Sequence, residues 1–258
     1  MSPRFIPRLS ILGERYPRQI AFLKARLSPE GYLGLHLTIG ALILIGATWL
    51  FAAIAEDVVT KDHIIVVDAN FSAWLYAHWH PWTTRTLLIV THLHGTIGIT
   101  IITTLVFLYL MRHKYRSQAL ALVLSVAGGG LLNVILKNVF LRSRPSLENP
   151  ILTLTSHSFP SGHTMAATCF YGALCVFAVW SLKAWSGRLL AIVTAAFMIM
   201  LVGFSRIYLG AHYLSDVLGA IAEGLAWVAI CLTAVEVIRR RPGRNGGVEL
   251  GEPNTSHR

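Results

Sequence analysis

Six long apolar runs constrain this chain more than any motif in it. They are Leu33 to Ala55, Thr86 to Leu110, Gln118 to Leu136, Gly162 to Leu182, Leu189 to Leu209 and Tyr213 to Val237. Each has the roughly 20 residues that a helix needs to cross a hydrocarbon core of about 30 Å. Inside a bilayer every backbone amide and carbonyl must find a partner within the protein, so only helices and closed barrels span it. The runs are rich in Leu, Ala and Ile and do not alternate with period two, which selects helices. The expected fold is all-α: one polytopic bundle of six transmembrane helices over 33–238, with no internal repeat. A basic cytoplasmic segment (1–32) precedes it, and a polar tail (239–258) with the composition of disordered chain follows.

Charge then orients the bundle. The chain carries 22 Lys and Arg against 12 Asp and Glu, a net charge of +10, which in a soluble protein would suggest nucleic acid. Here sixteen of the 22 basic residues fall before the first span, in the second and fourth turnarounds, or after the last span. That is the positive-inside pattern of a multi-pass protein of the cell (inner) membrane with both termini cytoplasmic, and no nucleic-acid partner is implied. The first 30 residues lack the short apolar stretch and cleavage site of a secretory signal, so the first span is expected to act as an uncleaved insertion signal. The six remaining cations are Lys61, Arg85, Lys137, Arg142, Arg144 and Arg206. The last four stand at the outer ends of spans three and five, where the topology rule disfavours them.

Two interfacial helices are expected beside the spans. Ile20, Leu23 and Leu27 form an apolar face next to Arg18, Lys24 and Arg26. In the outer loop, Phe71, Trp74, Leu75 and His78 recur at helical spacing after Asp68, which reads as an N-cap. Trp74, Trp79 and Trp82 suit the membrane boundary. Cys169, Cys175 and Cys231 all fall inside spans and read as packing residues rather than a disulfide framework.

Chemistry concentrates in three outer segments. In the first, Lys137 is expected to end span three, and Pro145 biases Arg144 away from helical geometry, so that Arg144 reaches back from the loop. In the second, Pro160-Ser161-Gly162-His163 opens a span, with Ser161 as N-cap, a helix N-terminus suited to an anion, and His163 at its edge. Alone, the segment equally describes a capped helix with an incidental surface histidine. In the third, His212 and Asp216 share one face at i, i+4, so the carboxylate can accept the Nδ1 proton and leave Nε2 bare, while Arg206 supplies a planar donor fork. Such a pair alone is more often structural. Together, three cations with two histidines and one carboxylate on one side of the membrane call for an anionic ligand with several oxygens, and phosphate fits best.

With KNVFLRSRP from Lys137, PSGH from Pro160 and SRIYLGAHYLSD from Ser205 standing in order, the sequence resembles the type 2 phosphatidic acid phosphatase superfamily. The resemblance implies a membrane lipid phosphatase without metal or cofactor. It implies that Lys137, Arg144, Arg206, Ser161 and Gly162 bind phosphate, that His212 is the nucleophile oriented by Asp216, and that His163 is the acid and then the base. The implied substrates are phosphatidic acid, phosphatidylglycerol phosphate or a polyprenyl diphosphate, met at the extracytoplasmic face. A transporter using the same cations without breaking a bond is the alternative.

Other residues remain open at this stage. His78 with His80, and His92 with His94, are i, i+2 pairs that point to different helical faces, so they read as exposed or interfacial rather than as metal ligands. Arg142 could touch phosphate or headgroup indirectly, Asn133 could equally orient Lys137 or make an ordinary interhelical hydrogen bond, and Glu223 is an ionisable group at membrane depth without an assigned role. Gly128, Gly129 and Gly130 suit close helix packing better than a phosphate loop.

Overall fold

The computed structural model describes Tyr16, 35–146, 151–152 and 154–240. These residues form α1 (Leu35–Thr60), α2 (His63–Ala77), α3 (Pro81–Leu93), α4 (Thr96–Arg112), α5 (Arg116–Phe140), α6 (Gly162–Ser181), α7 (Trp185–Tyr208) and α8 (Leu214–Arg240). No strand occurs among the described residues. The amphipathic face expected at Ile20, Leu23 and Leu27, and the tail beyond Arg240, lie outside them.

Helices α1, α5, α6, α7 and α8 are each long and apolar enough to cross a membrane. The second expected span is different. Its residues form two helices, α3 and α4, bent by 54° at a short break. Apolar composition alone could not reveal this, because the bend depends on one small residue. A Cβ on Gly98 would stand 2.1 Å from the Leu93 carbonyl oxygen, so the two helix ends pass at a distance that only glycine permits. His94 closes the break: its Nδ1 pairs with the Val90 carbonyl at 2.8 Å and its Nε2 with the Tyr171 hydroxyl at 2.7 Å. This histidine is therefore buried, not exposed as its i, i+2 pairing with His92 suggested.

Helix α8 is the hub, packing against α1, α2, α5, α6 and α7. Its small residues Gly219, Ala220, Ala222, Gly224 and Ala229 let neighbours approach closely, the usual basis of helix association in lipid. Trp227 of α8 lies across Gly128 and Gly129, where added Cβ atoms would stand 2.7 Å and 3.2 Å from its ring. Gly128 and Gly129 therefore serve packing, as expected, whereas Gly130 has nothing within 4 Å. Leu42, Ile45 and Trp49 on the outer face of α1 remain exposed and face lipid.

The segment expected as an outer loop supplies α2, which a short turn joins to α3 in a helical hairpin. Its first helix is capped by Asp62, whose carboxylate accepts the His63 amide at 2.7 Å. Asp68 is not the cap; it lies in the middle of α2 and is buried. The Trp79 indole donates to the Tyr208 carbonyl at 2.7 Å and the His80 amide to the Tyr208 hydroxyl at 2.8 Å, pinning the hairpin to the end of α7. Leu75, Leu87, Ile207, Leu209 and Val217 fill the space between. Trp74 and Trp82 stay exposed, as boundary anchors should.

Substituting Gly98→Ala should lower thermal stability in detergent by about 1–3 kcal/mol, the cost of forcing a methyl group into a filled space. Gly130→Ala, where nothing lies within 4 Å, should leave the melting temperature unchanged. Equal melting of both variants would contradict the assignment of the bend to Gly98.

Candidate active site

The three motif segments converge where α5 ends, α6 begins and α7 turns into α8. Helix α5 runs one turn beyond Lys137, to Phe140, further than expected. It stops at Leu141, whose φ of 50° is left-handed and swings the following arginines back over the helix end. The Ser158 amide then donates to the Arg142 carbonyl at 2.8 Å, and the Ser161 amide to the Asp216 carbonyl at 3.0 Å. These bonds fasten the segment before α6 to both neighbours.

His212 sits in the α7–α8 turn, reached through Gly210, whose φ of 69° suits glycine. Its Nδ1 lies 3.3 Å from Asp216 Oδ2, and its Nε2 lies 3.2 Å from Arg144 Nη1. A guanidinium offers only donors, so Nε2 is the acceptor and the proton resides on Nδ1, directed at the carboxylate. Burial holds the imidazole pKa far below its ordinary 6.5, at about 3, although Asp216 opposes the shift. The ring is therefore neutral at physiological pH, with a bare nitrogen among cations.

Asp216 is fully buried and satisfied by donors from several segments. Oδ2 accepts from the Ser158 hydroxyl, from His212 and from the Tyr213 amide at 2.9 Å; Oδ1 accepts Arg142 Nη1 at 2.7 Å. The same guanidinium donates to Ser215 Oγ at 2.7 Å and, through Nη2, to Asp68 Oδ2 at 2.8 Å, and it lies 4.5 Å over the Tyr213 ring. Asp68 also accepts the Ser215 amide at 2.9 Å and its hydroxyl. Arg142 is thus a bridge between two buried carboxylates, one on α2 and one beside His212.

The other cations surround His212. Arg144 donates to the Ser156 carbonyl at 2.7 Å and the Ala211 carbonyl at 2.6 Å, and burial pulls its pKa down, partly offset by Asp216. Lys137 Nζ donates to the His157 and Ser158 carbonyls at 2.7 and 3.2 Å. Arg206 is buried; its Nη1 donates to Thr91 Oγ1, while its Nε has no partner among the described residues. His163 projects over the α3–α4 break, with Nε2 3.6 Å from where a Gly95 Cβ would stand, within electrostatic reach of Arg206, His212 and Arg144. Ser161 holds the N-cap position, yet its side chain makes no capping bond; its hydroxyl instead accepts from Thr164 at 3.0 Å. Gly162 leads α6, its Cβ position 3.2 Å from Asn133 Oδ1. Asn133 does not orient Lys137: it donates to Glu223 Oε2 at 3.1 Å and toward the Pro160 carbonyl at 3.4 Å.

A family model described as the PAP2 superfamily matches residues 118–240, the stretch that supplies all of these motif residues. Phosphatidylglycerophosphatase B of Bacillus subtilis (strain 168) is 32% identical over 178 residues, spanning 69% of this chain and 87% of that protein. The chain belongs to the PAP2 superfamily. A second relative is a putative undecaprenyl-diphosphatase of Escherichia coli (strain K12), 28% identical over 123 residues, or 46% of this chain and 56% of that one. The crystal structure of a transmembrane PAP2-type phosphatidylglycerolphosphate phosphatase from Bacillus subtilis superposes with a TM-score of 0.67 at 26% identity, covering 74% of this chain and 94% of that one.

Every site residue expected from the PAP2 motifs lies in or beside this cluster. Sequence reasoning missed Asp68, Ser158 and Thr91. Asp68 carried a usable signal, since it shares a helical face with Phe71 and Leu75 and a carboxylate on an apolar face needs a partner. Ser158 and Thr91 carried none.

Two outcomes follow. Asp68→Ala strands the buried Arg142 charge and should destabilise the protein by about 3–5 kcal/mol in thermal or denaturant melting, whereas Asp68→Asn should cost less. His212, with its folded pKa below the unfolded value, stays neutral while the unfolded chain takes up a proton. Its contribution to stability is therefore lost as pH falls from about 6.5 toward about 3. Nitrogen NMR of labelled histidine should find His212 still neutral at pH 5; a midpoint near 6.5 would overturn the assigned environment.

Proposed function

We propose that this protein is a lipid phosphatase that removes phosphate from a lipid phosphomonoester or diphosphate at the extracytoplasmic face, through a phosphohistidine formed on His212. The observation that carries this reading is that one cluster holds both an unprotonated His212 Nε2 and a buried Arg206 Nε that finds no acceptor among the described residues. Buried donors are seldom left unpaired, so the Arg206 fork calls for an oxyanion beside a nucleophile. The names of the relatives, a phosphatidylglycerophosphatase and a putative undecaprenyl-diphosphatase, support lipid phosphate as the substrate class.

In this mechanism Lys137, Arg144, Arg206, the Ser161 hydroxyl and the Gly162 amide hold the phosphoryl oxygens. The fixed cations offset charge that spreads over the equatorial oxygens as the bond to the leaving group lengthens. The phosphate replaces the contact between Arg144 and Nε2. Nε2 then bonds to phosphorus, the ester or anhydride oxygen departs with a proton from His163, and the Nδ1 proton remains directed at Asp216, which stabilises the cationic ring. His163, now neutral, takes a proton from water; the water oxygen bonds to phosphorus, the P–N bond breaks, and orthophosphate leaves. The positive-inside charge distribution supports a cytoplasmic N-terminal segment and tail and, with them, a site on the outer side.

His212→Ala should lower orthophosphate release from detergent-dispersed phosphatidic acid, phosphatidylglycerol phosphate and polyprenyl diphosphate by about 10³-fold or more, the scale of losing a nucleophile. Lys137→Ala should act mainly through KM. His163→Ala should recover part of its first step with p-nitrophenyl phosphate, whose leaving group needs no acid, while remaining slow in the second. Turnover by the His212 variant near the unmodified rate would refute the nucleophile assignment. Movement of intact lipid phosphate across vesicles without orthophosphate would instead mark a transporter.

A further inference from the structure

At the end of the bundle opposite His212, a cavity of about 700 Å³ opens where α4 turns into α5 and α6 approaches the end of α8. Its wall sets the buried, apolar Phe177, Leu232 and Val235 beside the polar Ser117, Gln118 and Ser181. Its rim is basic, with Lys114, Arg188 and Arg239. The three cations are not equivalent. Arg239 spends its charge on Glu236, donating to both carboxylate oxygens at 2.9 and 2.7 Å. Arg188 uses only Nε, donating to the Leu182 carbonyl at 2.8 Å, and its terminal nitrogens have no recorded acceptor among the described residues. Lys114 has no ion pair among them either. Two cations therefore face one cavity whose acidic residue is already engaged.

Depth decides what could answer them. Five membrane-long helices begin or end at this level, Tyr115 and Trp180 stand at the cavity as interfacial aromatics do, and the apolar part of the wall continues into the span. A free anion would satisfy the rim and leave the wall wet. A zwitterionic lipid would fill the wall and leave the charge. We infer that this cavity binds the headgroup and upper acyl chain of an anionic glycerophospholipid of the opposite, cytoplasmic leaflet, with Lys114 and Arg188 holding its phosphate. The site is separate from His212 and is independent of catalysis there.

The test uses the full chain, purified in detergent and titrated with short-chain phosphatidylglycerol, phosphatidylcholine of equal chain length, or inorganic phosphate. Bound lipid is counted by native mass spectrometry and stability by thermal melting. Phosphatidylglycerol alone should bind tightly and raise the melting temperature, and it should still do so in a Lys137→Ala/Arg206→Ala protein that lacks the active-site cations. K114Q/R188Q should weaken that binding about 25-fold, the product of the roughly fivefold that each surface Lys or Arg adds to anionic-lipid affinity. It should keep hydrolysing a soluble phosphate ester at the unmodified rate, and the charge-conserving K114R/R188K should retain binding. In the unsubstituted protein, a photoactivatable phosphatidylglycerol should label the ends of α6 and α8. Unchanged affinity in K114Q/R188Q, equal binding of phosphatidylcholine, a melting shift from inorganic phosphate alone, or labelling confined to the His212 end would each overturn the inference.

Discussion

The burial of one carboxylate organises this protein. Taking a charged group out of water costs several kcal/mol unless its oxygens are fully engaged, and Asp216 lies wholly inside the bundle. Its donors come from the α5–α6 connection and the α7–α8 turn, while its main-chain carbonyl holds the Ser161 amide. The chain can satisfy Asp216 only by bringing Ser158, His212 and Arg142 together. The requirement that keeps the charge tolerable thus also assembles the site.

That requirement extends outward through Arg142. Because its guanidinium serves Asp216 and Asp68 at once, the α2–α3 hairpin is tied to the carboxylate that orients His212. The hairpin is tied a second time through Trp79 and His80 to Tyr208, two residues after Arg206. A segment that reads as an outer loop is therefore part of the framework of the site. Thr91, in α3, accepts from Nη1 of Arg206 and leaves Nε of the same fork unengaged among the described residues, so the bend at Gly98 affects both packing and chemistry.

Much of this was legible in the sequence, for physical reasons that differ by residue. Five of the six expected spans followed from the length of apolar runs, because the bilayer sets that length. His212 and Asp216 were legible because i, i+4 spacing at a helix start leaves little freedom, and the observed 3.3 Å contact fits it. Lys137, Arg144 and Arg206 stood out by defying the charge asymmetry of the topology. The bend between α3 and α4 was not legible, since hydropathy does not distinguish a straight span from two packed pieces. Asp68 was misread as a cap because local capping chemistry and long-range ion pairing use the same side chain, and its partner lies 74 positions away in the chain. Ser161 showed the converse: it occupies the cap position while its hydroxyl makes no capping bond, which leaves the first amides of α6 available to an anion.

The most direct test of catalysis through His212 is to look for phosphorus on its ring. Protein labelled with nitrogen-15 histidine, mixed with a lipid phosphate and quenched in alkali, where phosphohistidine survives, should show a phosphorus–nitrogen coupling to Nε2 of His212 and to no other histidine. Full turnover accompanied by no such coupling, or by phosphate on His163 instead, would contradict the central claim.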